Sequence, residues 1–220
     1  MYADDILLLS ASLTDLQSML DTCGSEGSLL GMSFNAKKSH CLVIGPKCNM
    51  EFANVSINGV SLAWTDKISY LGIVITKGKH FNVDLACERR SFFSAVNCIL
   101  SKSHLASDMV KLYLCESHCL PILMYSLESL SLSNAQLRDI NSWWNSVYRK
   151  IFNYNKWESV SELIFMLDHL DFITLHCLRK AKFIFSLHCT SNSVLHYINS
   201  FYVCSVECQN FMVNMSFIPI

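Results

Sequence analysis

A chain of 220 residues is long enough to bury one good core and leave room for a second, smaller lobe. With 51% of its residues hydrophobic and 16% charged it is not a disordered chain, and a net charge of −1 excludes a histone-like polycation. That average hides a gradient. Residues 1–35 carry five acids and no Lys or Arg, residues 36–150 carry thirteen Lys/Arg against eight acids, and residues 151–220 return to four against five. An acidic tip followed by a basic middle suits a metal-dependent site beside a nucleic-acid track. The 11 cysteines are scattered and odd in number, and the acidic front is unlike a secretory signal. A reduced compartment with buried free thiols follows, so the expected location is intracellular, nuclear or cytoplasmic, and not secreted. No stretch reaches the roughly 18–20 apolar residues of a membrane span, so no membrane partner is expected.

In chain order, the first element is "MYADDILLLS", where Asp4 and Asp5 lie between Tyr2 and the apolar run Ile6–Leu9. Successive strand residues point to opposite faces, so two neighbouring carboxylates serve one site only where the backbone turns. The spacing predicts a hairpin tip with acids at a sheet edge, ahead of a buried strand. Oxygen ligands of that kind suit Mg²⁺. Ser12-Leu13-Thr14-Asp15 reads as a capping-box variant, followed by Leu13, Leu16, Met19, Leu20 and Cys23 at helical spacing. Gly24 and Gly27 weaken that helix and Gly31 ends it. Strands are predicted over 40–45, over 55–62 around an Asn58-Gly59 turn, and over 68–75 with an internal glycine.

After residue 80 the texture turns helical. A helix is predicted from Asp84 to about Lys102, a second from Ser107 to about Cys119 ended by Pro121, and a third capped by Ser133. Leu137, Ile140, Trp144, Val147, Tyr148 and Ile151 share one face of the third. One or two further helices fall within 157–187, and no clear element is predicted beyond about 188. The fold class is α+β, with a small mixed front and a helical back.

The order of these pieces resembles the C-terminal part of reverse transcriptases from non-LTR (LINE-like) retrotransposons. Tyr2-Ala3-Asp4-Asp5 is similar to that family's third palm motif, Phe34-Asn35-Ala36-Lys37-Lys38-Ser39 to the next, and Tyr70-Leu71-Gly72 to its primer grip. Residues 119–128 and 144–152 resemble its thumb and the region just beyond, so the likeness covers about 1–187. It implies a truncated palm over 1–78, helical thumb and post-thumb over 79–187, and a tail over 188–220. By resemblance, Asp4 is the direct Mg²⁺ ligand and Asp5 its supporting acid. Lys38 stands near the incoming triphosphate, with Lys37 as the alternative. Tyr70, Leu71 and Gly72 hold the primer end. Arg89, Arg90 and Lys102 are weaker candidates for phosphate contacts, and Trp143 and Trp144 are expected in core and rim. Ala36 stands where relatives often have proline.

The implied partners are an RNA template, a DNA primer and a deoxynucleoside triphosphate. The implied chemistry is two-metal nucleotidyl transfer, which demands bridging carboxylates from more than one strand. The family's other catalytic aspartate lies upstream of the Asp-Asp motif, and here only Met1 precedes Tyr2. The chain is therefore expected to be a fragment of an RNA-directed DNA polymerase, inactive alone. The alternative is a non-enzymatic helical module that binds nucleic acid or protein. Cys189, His196, Cys204 and Cys208 form a possible zinc set, but their spacings do not match the tight pairs of common zinc folds.

Overall fold

The computed structural model describes residues 5–203. They form a mixed α+β chain that divides into two compact units, residues 1–87 and 88–220.

The first unit opens with residues 6–10 outside any strand. The buried strand expected there is not formed: Leu9 is 78% exposed, and Leu8 alone of this run packs on the core. No strand among the described residues pairs with it, so its apolar side chains gain nothing from a ladder. Helix α1 (Leu13–Leu29) follows, capped by Ser12, whose Oγ accepts from the Asp15 N–H. It runs straight through Gly24 and Gly27. It closes in a Schellman motif: Met32 N–H donates to Gly27 O, Gly31 N–H donates to Ser28 O, and Gly31 takes φ +70°.

Short strands then pair in three small sheets. β1 (His40–Cys41) runs parallel to β4 (Ala63–Trp64), and β2 (Ser56–Ile57) with β3 (Val60–Ser61) forms the hairpin predicted at Asn58-Gly59. β5 (Lys67–Tyr70), β6 (Ile73–Thr76) and β7 (Asn82–Asp84) form an antiparallel meander. Two expectations change here. The 40–45 strand stops at Cys41, because the chain leaves the β4 ladder and meets Gly78 at Ile44 instead. The 68–75 strand is two strands, because Leu71 and Gly72 both take positive φ (49° and 79°) and turn the chain back.

Leu20, Cys41, Val55, Ile57 and Leu62 form this unit's core, with Leu13, Leu16, Phe34, Ala36 and Trp64 packed against it. The two mid-helix glycines allow the loops to approach. A Cβ at Gly27 would lie 2.8 Å from the Phe34 ring, and one at Gly24 would collide with the Asn58 side chain. Gln17 ties α1 to the sheet: its amide nitrogen donates to Ser56 O (2.9 Å) and its oxygen accepts from Ser56 N–H (2.9 Å), as a neighbouring strand would.

The second unit is helical. α2 (Ala86–Lys102) begins beside the unit boundary, and α3 (Asp108–His118) is capped by Ser107. Pro121 does not simply end that helix; it sits in the first turn of a short one, α4 (Leu120–Met124), where its missing N–H costs nothing. A single 3₁₀ turn, Leu127–Ser129, precedes α5 (Asn134–Ile151), which has a full Ser133/Gln136 capping box. α6 (Ser161–Met166), α7 (Phe172–His188) and α8 (Ser193–Val203) complete the order. α8 lies where no element was predicted. Among the described residues no helix is long and apolar enough to cross a membrane.

Phe92, Val96, Leu112, Cys115, Ile140, Trp144, Val147, Tyr148 and Phe172 are essentially solvent-free and build this unit's core. The buried stripe of α7 is Phe172, His176 and Lys180, of which two are polar. They face the segment 124–130, where Tyr125 is extended and Ser126 is left-handed, so its carbonyls lie outside a regular helix. Arg179 Nη1 donates to Met124 O (3.3 Å), His176 Nε2 meets Leu127 O at 3.4 Å, and Lys180 Nζ donates to Leu130 O (3.3 Å). Burial holds the His176 imidazole below its ordinary pKa, so it stays neutral and donates from Nε2.

Candidate nucleic-acid interface

Of the two acids in the opening motif, Asp5 is exposed, while Tyr2, Ala3 and Asp4 lie outside the described residues, as does the predicted hairpin tip. Asp5 is thus the described carboxylate of that motif.

The lysine motif is a built turn. Phe34 and Ala36 are anchored in the core, on either side of Asn35. The Asn35 side-chain oxygen accepts from the N–H groups of Lys37 (3.1 Å) and Lys38 (3.3 Å). Its backbone carbonyl accepts from Lys38 N–H (3.0 Å), Ser39 N–H (3.1 Å) and Ser39 Oγ (3.0 Å). Asx geometry of this kind fixes a turn without help from a sheet. Both lysine side chains leave it into solvent. Asn35 shapes the loop from which both lysines project. Asn35→Ala is expected to cost about 1 kcal/mol in chemical unfolding, whereas Asn35→Asp, which keeps the acceptor, stays near wild type. Equal stability of the Ala variant would mean that the turn does not depend on that oxygen.

Tyr70, Leu71 and Gly72 occupy the β5–β6 connection. Tyr70 pairs with Ile73 across the hairpin, and Leu71-Gly72 is its two-residue tip. Two consecutive positive φ values are the signature of a type I′ turn, which ordinarily takes Asn-Gly or Asp-Gly. Asn58-Gly59 follows that preference; Leu71-Gly72 does not. A leucine held left-handed stores roughly 1–2 kcal/mol of local strain, a cost that clusters at functional positions.

In the helical unit, Arg89, Arg90 and Lys102 are all exposed on α2. Arg89, Phe93 and Asn97 recur every four residues, so they share a face. The Arg89 guanidinium carbon lies 6.0 Å from the Phe93 ring centre and 5.5 Å from that of Trp143 on α5. Lys150, two turns further along α5, sits 5.5 Å from the Phe93 ring centre and donates to Asn97 Oδ1 (3.0 Å). Two cations held over an aromatic floor can meet phosphate. Lys102 stands apart, roughly 20 Å along the helix from Arg89. Lys150 was missed by the sequence argument, although the 143–150 spacing on α5 signals it. Trp144 is core as expected, 1% exposed; Trp143 is half-buried and carries Arg89.

Other titratable groups are structural. Tyr148 is held well above the usual tyrosine range by burial and by the neighbouring Glu116 charge. Its hydroxyl meets His169 Nδ1 at 3.1 Å, and His169 meets Glu116 at 2.7 Å. Burial pushes the Cys41 and Cys177 thiols up, which disfavours nucleophilic roles. The expectation of buried thiols holds for Cys41, Cys48, Cys115 and Cys119, whereas Cys87, Cys98 and Cys189 are exposed. Of the possible zinc set, Cys189 and His196 are exposed, and Cys204 and Cys208 lie outside the described residues. Among the described residues no group of three His, Cys, Asp or Glu side chains is placed to hold a metal ion.

No protein-family model, curated protein or solved structure matches the chain.

Proposed function

We propose that this chain carries the end of the palm and the thumb helices of an RNA-directed DNA polymerase of the non-LTR type. The observation that carries the reading is the order of four motifs: Tyr2-Ala3-Asp4-Asp5, Phe34–Ser39, Tyr70-Leu71-Gly72 and the helical series after residue 86. Supporting it are the Asn35 turn, which offers Lys37 and Lys38 to an anionic ligand, and the strained tip at Leu71-Gly72, which suits close approach of a primer end. In this proposal Asp4 and Asp5 are the Mg²⁺ ligands, Lys38 meets the triphosphate, and Arg89, Arg90 and Lys102 meet backbone phosphates.

Two-metal chemistry needs carboxylates from more than one strand. Asp4 and Asp5 are neighbours and supply carboxylates from one segment only. The activity proposed for these 220 residues by themselves is therefore binding of primer–template, without nucleotide incorporation.

Primer extension on an RNA template with Mg²⁺, run with the chain and its Asp4→Ala form, is expected to give no product from either. Product that disappears with Asp4→Ala would overturn the inactivity and strengthen the polymerase reading. Anisotropy with a labelled RNA–DNA primer–template is expected to show binding that weakens steeply as salt rises. Salt-independent binding, or none, would sink the reading.

A second reading is favoured by the Arg89–Lys150 face: a helical module that binds nucleic acid or protein without any polymerase role. The two separate on mutation. Tyr70→Ala, a change at the proposed primer contact, weakens primer–template binding under the first reading and leaves it unchanged under the second.

A further inference from the structure

One cavity in the first unit lies apart from the residues proposed to meet nucleic acid. It encloses about 300 Å³, at the lower end for small-ligand sites. Phe52 and Trp64 line it, with ring centres 5.4 Å apart and planes tilted by 36°. The indole is fixed, because Trp64 Nε1 donates to Ala53 O (3.3 Å) and the ring packs against the core. Three charged side chains complete the lining: Glu51, Asp66 and Lys77.

Charge decides what fits. Lys77 is already paired with Asp66 at 3.1 Å, so its ammonium is compensated. Glu51 makes no hydrogen bond or ion pair among the described residues. The lining therefore carries one uncompensated negative charge beside two aromatic rings. An anionic phosphate or nucleotide is disfavoured there. A cation is favoured twice, by the ring faces and by the carboxylate.

We infer that the Phe52–Trp64 cavity is a docking site for an arginine side chain of a protein partner, with Glu51 as its counter-ion. Arginine suits the site better than lysine, because the guanidinium is planar, weakly hydrated, and able to stack on a ring while its edge donates to a carboxylate. The interaction is independent of polymerase chemistry and concerns recruitment of another polypeptide.

The test uses the full chain, labelled with ¹⁵N, and follows the Trp64 indole N–H resonance, assigned by its loss in Trp64→Phe. N-acetyl-arginine methylamide is expected to shift that resonance saturably. The citrulline analogue, neutral but of the same shape, is expected to leave it in place. Glu51→Gln, a change at an exposed position that leaves the core intact, is expected to weaken the arginine probe about fivefold. No saturable shift with the arginine probe would overturn the inference. Equal binding of the citrulline analogue would do the same, since charge would not be read. A shift with uridine 5′-monophosphate but not with arginine would assign the cavity to a nucleotide instead.

Discussion

Trp144→Ala is expected to lower the unfolding free energy of the helical unit by about 3–5 kcal/mol. The indole is 1% exposed and lies 6.3 Å, centre to centre, from Phe92 on α2. It also meets Tyr148 on its own helix edge-to-face at 5.9 Å. Truncation leaves a void between α2 and α5 that neither ring can fill without leaving its rotamer. Urea unfolding followed by far-ultraviolet circular dichroism checks it: the midpoint falls while the slope stays constant. A loss under about 1 kcal/mol would mean that the side chain is not where the core places it. The functional corollary concerns its neighbour. Because Trp143 carries Arg89 and Trp144 carries the fold, lost nucleic-acid binding in Trp143→Ala reports on the interface, and in Trp144→Ala it reports on unfolding.

The second large effect runs against ordinary helix propensity. In an exposed helix interior, glycine to alanine stabilises by roughly 0.5–1 kcal/mol. Gly27→Ala in α1 is expected to destabilise instead, by about 1–3 kcal/mol, because the added methyl stands 2.8 Å from Phe34 Cε2. Relief requires the Phe34 ring to move, and Phe34 is one of the two anchors of the Asn35 turn. The substitution therefore reaches Lys37 and Lys38 without touching them. Backbone amide shifts over residues 34–39 should change more than those of β5–β6. A stabilised variant with an undisturbed turn would show that the ring has room to spare.

Much of the fold was legible where one local rule acted alone. The Ser133 cap, Asn58-Gly59, and the α5 stripe from Ile140 to Ile151 each announce themselves through short-range chemistry. Leu71-Gly72 failed because the turn places a leucine where the usual signal is Asn or Asp, so an apolar run concealed a reversal. The stretch 40–45 failed because strand length there depends on which partner the chain meets, and Gly78 is 34 residues beyond Ile44. α7 was only loosely bounded, since its buried stripe holds a histidine and a lysine while Ile173, Leu178 and Phe185 face outward. Periodicity counts that pattern as weak. The candidate site divides in the same way. The Asp-Asp, Lys-Lys and Tyr-Leu-Gly segments are contiguous and readable, but the Arg89–Phe93–Trp143–Lys150 group is assembled from two helices that only tertiary packing brings together.

The bonds from Arg179, His176 and Lys180 to the carbonyls of Met124, Leu127 and Leu130 couple two segments about fifty residues apart. Neither side has a cheap way to open by itself. Lifting α7 strands buried carbonyls, and fraying 124–130 strands a buried lysine and a neutral histidine. The two should therefore exchange their amide hydrogens in one concerted opening, slower than that of residues 193–198 of α8 downstream, which are exposed. Local breathing in this half of the chain would then have a threshold, and a protease would meet residues 124–130 and 172–188 either both closed or both open.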